Sequence, residues 1–440
     1  MPKQISLSLL FLLLLVPLAA AQGNANPTIA LLSFGSYDSN VPLEMGLLDT
    51  LQVYEWISAE ERALLNAGQD IEGDRINIIR GSANFDLPTV NIMVEDALDR
   101  GADILVTAGA AVTQTALNLT LDAEEPPSVL FHSIYSATHF GIIDAPCLKP
   151  AHITGSEYTP PYEEAVGVFL AQNPDLARIG TLHTSTDAGG IHGAERIGAI
   201  AAARGIDVES AAIASLSDLR AATQGLVNKD VEAIMLPIDF TIGAGLPIVV
   251  TVAKENQIPV FYPIPGTVLS GVTIGAGFND YYNQGNHTAL LLDARLNGSL
   301  DIETTAVASL TGVSVGINVD IASEMGIEIP QDLQDAADIT VRDGAVKLSQ
   351  RFLSDQLDDF GAPEEMKQMV LAIADTMDWR PLFQPGEMSG DNPMMDQFAM
   401  MIEFRKSPAH KAADAATLAS LQCTDELIAE QQAALDAESE

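Results

Sequence analysis

Residues 96–117, DALDRGADILVTAGAAVTQTAL, decide the fold. Ala97 and Leu98 end one helical pattern, Gly101 breaks it, and Ile104 to Thr107 form an apolar run without alternation. Gly109 then turns the chain into a second helical pattern. An unbroken apolar run of this length suits a parallel strand covered by helices on both faces. Residues 224–246, QGLVNKDVEAIMLPIDFTIGAGL, give the same order, with the strand ending at Pro237. A proline-introduced strand follows each: PPSVLF at 126–131 and IPVFY at 258–262. The repeat is one of architecture rather than of residues. It predicts an α/β protein of two similar lobes, each a doubly wound parallel sheet.

Working outward, strands are expected at 28–33, 75–79, 104–107 and 128–132, and in a second series at 179–183, 208–213, 233–236 and 259–262. Residues 90–100 and 191–204 carry apolar side chains at helical spacing. Beyond Gly344 the βαβ alternation stops. Helices are expected at 350–360, 363–377 and 409–437, with Met-rich loops or short helices at 388–401. The expected division is lobe 1 from 27–153 and 267–303, lobe 2 from 154–266 and 304–342, and an acidic helical extension over 343–440. Lobe crossings are expected near 155–159, 263–266 and 304–311.

The 440 residues carry 60 acidic and 21 basic side chains, a formal net charge of -39. Sequence-independent nucleic-acid binding needs a basic surface and is excluded. Docking on an anionic membrane face is disfavoured for the same reason. The shortage of lysine fits either a saline exterior or compositional drift. Residues 1–21 read as a secretory signal peptide, with Lys3, an apolar run from Ile5 to Val16, and Ala19-Ala20-Ala21 before Gln22. No cysteine stands directly after that point, so the expected product is periplasmic or secreted, without a lipid anchor. An oxidising compartment permits a disulfide between Cys147 and Cys423, the only two cysteines; two thiols far apart fit the sequence equally well.

Hydrolase, zinc-protease, Walker and dinucleotide signatures are absent. The spacings His132–His139 and His183–His192 do not place two imidazoles on one helical face, so no metal site, cofactor or catalytic residue is assigned. The candidate positions are instead the small, polar loops at the carboxyl ends of the strands: 33–40, 108–113, 132–136, 184–187 and 239–241. Each loop reads either as an anion-favouring helix N-terminus or as an ordinary cap. They supply Ser36, Ala110, Ala111, Ser133, Tyr135, Thr184, Thr186, Asp187, Asp239 and Phe240 as candidate ligand contacts. Thr184, Thr186 and Asp187 are expected to face Ser36, Ala110 and Ser133 across a cleft. Asp239 follows a buried strand and either pairs with a ligand ammonium or caps the next helix. No Lys or Arg lies in the adjoining loops, so a cation for it would have to come from the ligand.

Further segments carry a resemblance: GADILVTAG (101–109), ITG (153–155), RIGTL (178–182), VEAIMLPIDFT (231–241), NQIPVF (256–261), NDYYNQG (279–285) and GINVDIASEMGIEIP (316–330). In order and spacing the chain resembles the ABC-transporter substrate-binding proteins of the tryptophan/tyrosine type, which have the periplasmic-binding-protein type I fold. The resemblance implies an exported, monomeric, non-enzymatic receptor that closes two lobes on a small molecule. It would deliver this ligand to a membrane permease driven by an ATPase. The alternative output is a membrane chemoreceptor or sensor kinase. The resemblance also adds Asp280 to the candidate contacts. Departures fall at Gly109-Ala110-Ala111, Tyr135-Ser136-Ala137, Gly189 and Phe240, where the family usually has Gly-Thr-Pro, a Ser-Asp-Pro-like triplet, Asn and Asn. The extension after Gly344 has no counterpart in that family.

Overall fold

All five residues of Ile104–Ala108 are buried, and their place in the sheet is the reason. The computed structural model of the protein describes residues 26–35, 40–359, 362–380 and 404–438. Strands β1 (Thr28–Ser33), β2 (Ile71–Glu72), β3 (Asn77–Ser82), β4 (Ile104–Ala108), β5 (Ser128–Tyr135) and β6 (Ile153–Tyr158) build the first sheet. The second contains β7 (Arg178–Thr184), β8 (Asp207–Ile213), β9 (Ala233–Met235), β10 (Val260–Tyr262) and β11 (Ile274–Gly277). The chain then returns to the first sheet for β12 (Ala308–Leu310). It ends the second with β13 (Ser314–Asn318), β14 (Ile339–Arg342) and β15 (Ala345–Leu348). The orders are β12-β6-β5-β4-β1-β3-β2 and β15-β14-β13-β11-β10-β9-β7-β8. Strand β4 has parallel partners on both sides, β1 and β5. Helices on both faces complete its burial, as its unbroken apolar run requires.

The two-lobe α/β architecture is as expected, but its boundaries move. Residues 154–158, expected in lobe 2, pair with β5 in the first sheet. Residues 267–277, expected in lobe 1, include β11, which pairs with β10 in the second. Strand β12, expected in lobe 2, pairs with β6. The chain therefore crosses at 159–161, 278–280 and 311–313. Residues 263–266 lie within lobe 2, and only the ends of the other two expected hinges touch a crossing. Aromatic rings fill the crossing region: Tyr158 stacks on Phe278 at 4.9 Å, and Tyr281 sets its edge against both.

The helical extension is present but divides in two. Strand β15 lies past the expected boundary and pairs antiparallel with β14, so the sheet does not end at Gly344. Helices Gln350–Asp359 and Glu364–Ile373 then bury Phe352, Leu353, Leu357, Val370 and Trp379 against Val268, Ile339 and Val346 of lobe 2. The expected helix over 409–437 is two helices, Pro408–Ser420 and Asp425–Glu438. The break holds Cys423, which forms a disulfide with Cys147 of lobe 1, and Gln422, which bridges to Thr305. Arg405, 2% exposed, donates to the Thr50 hydroxyl at 2.6 Å. The expected Met-rich elements at 388–401 lie outside the described residues.

Candidate functional site

In a doubly wound sheet, loops diverge where the strand order reverses, and a crevice opens there. In the first sheet β1 lies between β3 and β4; in the second β7 lies between β8 and β9. The loops leaving β1 and β4, and those leaving β7 and β9, therefore flank the two crevices. The crevices face each other. Phe34, directly after β1, meets Phe240, five residues after β9, edge to face with 5.5 Å between centroids. Phe85 closes on the other side of Phe34 at 5.8 Å. Gly109, after β4, backs onto the same Phe240: a Cβ there would lie 3.5 Å from the ring, and the residue's φ of 97° favours glycine in any case.

Tyr135, at the end of β5, reaches further into lobe 2. Its hydroxyl lies so near Gly189 that a Cβ on that glycine would come within 2.0 Å of it. The hydroxyl is buried without a hydrogen-bond partner among the described residues. Burial first, then the neighbouring Tyr162, Asp187 and Asp239, push its pKa above the usual phenol range. Beside it, His139 of lobe 1 meets His192 in the first turn of helix Ala188–Ala203, with 4.1 Å between ring centroids.

Asp239 is 2% exposed and accepts three hydrogen bonds from its own lobe. The donors are the Thr184 N–H at 2.6 Å, the Thr184 hydroxyl at 2.8 Å and the Ile242 N–H at 3.0 Å. Of the two readings open for Asp239, a partner for a ligand ammonium or a helix cap, these bonds show the cap, and strong donors already replace its water. It caps helix Phe240–Ala244. Asp187 caps the longer helix through the Gly190 N–H at 3.0 Å and also accepts the Phe240 N–H at 3.2 Å. Burial, and then the charge of Asp239, push its pKa up to about 6. Two carboxylates, Asp239 buried and Asp187 half-buried, thus share one corner of lobe 2 beside Tyr135 of lobe 1.

The remaining expected contacts scatter. Thr184 is buried beneath Asp239, whereas Thr186 is exposed. Ala110 is buried and Ala111 half-buried at the start of helix Ala110–Thr120, next to Gly109. Ser133 is buried in the irregular part of β5 with φ 55°. Asp280 stands before helix Tyr281–Leu296, in the second crossing. Ser36 lies outside the described residues. The sequence reading missed Gly109 as a wall and the pairing of His139 with His192. Neither leaves a local signal, since each contact joins residues from different lobes.

A family profile described as "ABC transporter substrate binding protein" matches residues 61–341. A relative named "Tyrosine-binding protein", from Clostridioides difficile (strain R20291), is 24% identical over 269 residues, covering 61% of this chain and 72% of the relative. Two solved structures share the fold, each covering 72% of this chain and 100% of the other. One is the ABC domain in complex with L-Trp from Streptococcus pneumonia, at TM-score 0.63 and 24% identity. The other is a conserved domain protein from Vibrio cholerae, at TM-score 0.62 and 21% identity. With a profile match over most of its two lobes, and with the two-sheet architecture described above, the chain belongs to the ABC-transporter substrate-binding protein family.

Proposed function

We propose that the protein is an exported receptor that closes its lobes on a small amino-acid-like or amine ligand and presents it unchanged to an ABC permease. The carrying observation is the pair of facing crevices, walled by Phe34, Phe240 and Tyr135 and holding Asp187 and Asp239. Among the described residues neither carboxylate has a Lys, Arg or His partner within ion-pair distance. Burial first and the charge of Asp239 second raise the pKa of Asp187; a ligand ammonium near it would offset both, while a dianion would add to the repulsion. The aromatic walls suit an apolar ligand body. The named ligands of the two relatives, tyrosine and L-Trp, point the same way. The apolar run at residues 5–16 and the Cys147–Cys423 disulfide support export to an oxidising compartment.

The test is a thermal-shift screen over amino acids, amines, nucleosides and organic acids, since a ligand bound only by the folded state raises the melting temperature. L-tryptophan, L-tyrosine or a small aromatic amine is expected to raise it, with affinity falling roughly ten-fold or more in Asp187→Asn. A screen that returns only dicarboxylates or phosphates would overturn the ligand class.

A further inference from the structure

His139 and His192 make a contact that neither lobe contains alone. His139 lies in the loop after β5 of lobe 1, exposed and with its ring edge against Phe140 at 5.3 Å. His192 lies one turn into helix Ala188–Ala203 of lobe 2, half-buried. Their centroids stand 4.1 Å apart at an interplanar angle of 35°, beside the Tyr135–Gly189 contact. Among the described residues no group of three or more His, Cys, Asp or Glu side chains could hold a metal ion, so this pair is read for its protons.

We propose that the two imidazoles form a proton-sensitive latch that holds the lobes together when neutral and favours their opening when both are protonated. Neutral rings can lie in this tilted contact across the boundary. Two imidazolium cations at the same spacing repel, and 4.1 Å is shorter than the screening length of about 8 Å at physiological ionic strength. The other charged groups acting on His192 are Arg196, which adds to the repulsion, and Glu195, which opposes it. Burial, followed by His139 and Arg196, already lowers the pKa of His192. Separation of the lobes returns His192 to water and takes the facing ring away, so the open state binds protons more readily and gains as pH falls. At about 1 kcal/mol for unit charges 4 Å apart in water, the closed-to-open ratio should drop roughly five-fold between pH 8 and pH 5.5.

The inference rests on the reading of the protein as a hinged receptor, and its test does not require the ligand. In the full chain, NMR titration of the imidazole C–H signals should show that His139→Gln raises the midpoint of His192, by roughly half a unit. X-ray scattering should show a radius of gyration that grows from pH 8 to pH 5.5 in the parent and less in His139→Gln/His192→Gln. Any growth left in the double variant belongs to Asp187, which titrates in the same range. His132 and His287 stay neutral over this window, with pKa values lowered to about 3 and about 4. An unchanged His192 midpoint in His139→Gln overturns the latch. Coupled titration with no binding of L-tryptophan or L-tyrosine at pH 8 supports the latch and counts against the ligand class. Uncoupled titration with binding intact overturns the latch and leaves the receptor reading standing.

Discussion

The two halves of the C-terminal extension dock on different lobes by different physics. Residues 345–380 join lobe 2 as a strand and two helices, and Phe352, Leu353, Leu357 and Trp379 share one apolar cluster with Ile339 and Val346. Residues 404–438 hold lobe 1 through the Cys147–Cys423 disulfide and through polar groups. Arg405 donates to Thr50, and Tyr54 donates to Asp414 at 2.6 Å. The first half is an enlargement of a core; the second is a clasp on a finished surface. A stretch that looks uniform in composition is thus two attachments, one per lobe. The family profile, ending at residue 341, covers neither.

Four measurements can break or sharpen that contrast. The protein has two tryptophans, Trp56 in lobe 1 and Trp379 beside lobe 2. The fluorescence of Trp379→Phe therefore reports lobe 1, and that of Trp56→Phe reports lobe 2. The largest effect is expected from Cys147→Ser. The disulfide closes a loop of 276 residues, and its loss should cost lobe 1 about 4–5 kcal/mol while leaving lobe 2 in place. Equal loss in both lobes would mean that they unfold as one unit. Next, Leu357→Ala, read through Trp379 in the Trp56→Phe background, should cost lobe 2 about 2–4 kcal/mol, because the side chain is buried in the same apolar cluster.

Acid should then separate the lobes further. His132 and His287, both in lobe 1, are buried with pKa values lowered to about 3 and about 4. The unfolded chain binds their protons first, so at pH 5.5 each removes on the order of 1 kcal/mol from lobe 1. Asp187 of lobe 2, raised to about 6, works in the opposite direction. Its folded form takes up the proton first, so lobe 2 gains up to about 1 kcal/mol at the same pH. His192, also in lobe 2, has a lowered pKa and offsets part of this gain. Between pH 8 and pH 5.5 the denaturant midpoint of the lobe 1 reporter should therefore fall by more than that of the lobe 2 reporter, and equal shifts would contradict these assignments. The smallest effect is expected from Asp239→Asn, which keeps the shape but weakens the three hydrogen bonds and removes the charge beside Asp187. It should cost lobe 2 about 1–2 kcal/mol and bring the Asp187 midpoint down.

The eight strands expected in the two series, β4 among them, were legible as short apolar or β-branched runs between helical patterns. The strands around the crossings were not. β11 is Ile-Gly-Ala-Gly and β12 is Ala-Ser-Leu, compositions that read as loop. Gly275 and Gly277 are there because other backbone lies against them: a Cβ would meet the Ile264 carbonyl oxygen at 2.7 Å and the Pro263 carbonyl oxygen at 2.3 Å. That requirement is tertiary and leaves no periodicity. The candidate site divides in the same way. Loops at strand ends could be listed from the order of elements alone, and they include Asp187, Tyr135 and Phe240. The cap to the Ile242 N–H could be read locally, but the other two donors to Asp239 could not, since both come from Thr184, 55 residues earlier.

The interleaving of the chain also sets an order of completion during synthesis. Lobe 1 begins first, with β1 through β6, but its sheet waits for β12 at residues 308–310. Lobe 2 begins at β7 and closes its sheet with β15 at residue 348. The clasp on lobe 1 then waits for Cys423. Until residue 308 emerges, β6 is an unpaired edge, open to pairing with another chain. The lobe made first is therefore the last to be secured, and a chain stopped between residues 380 and 423 would hold a finished second lobe beside an unclasped first one.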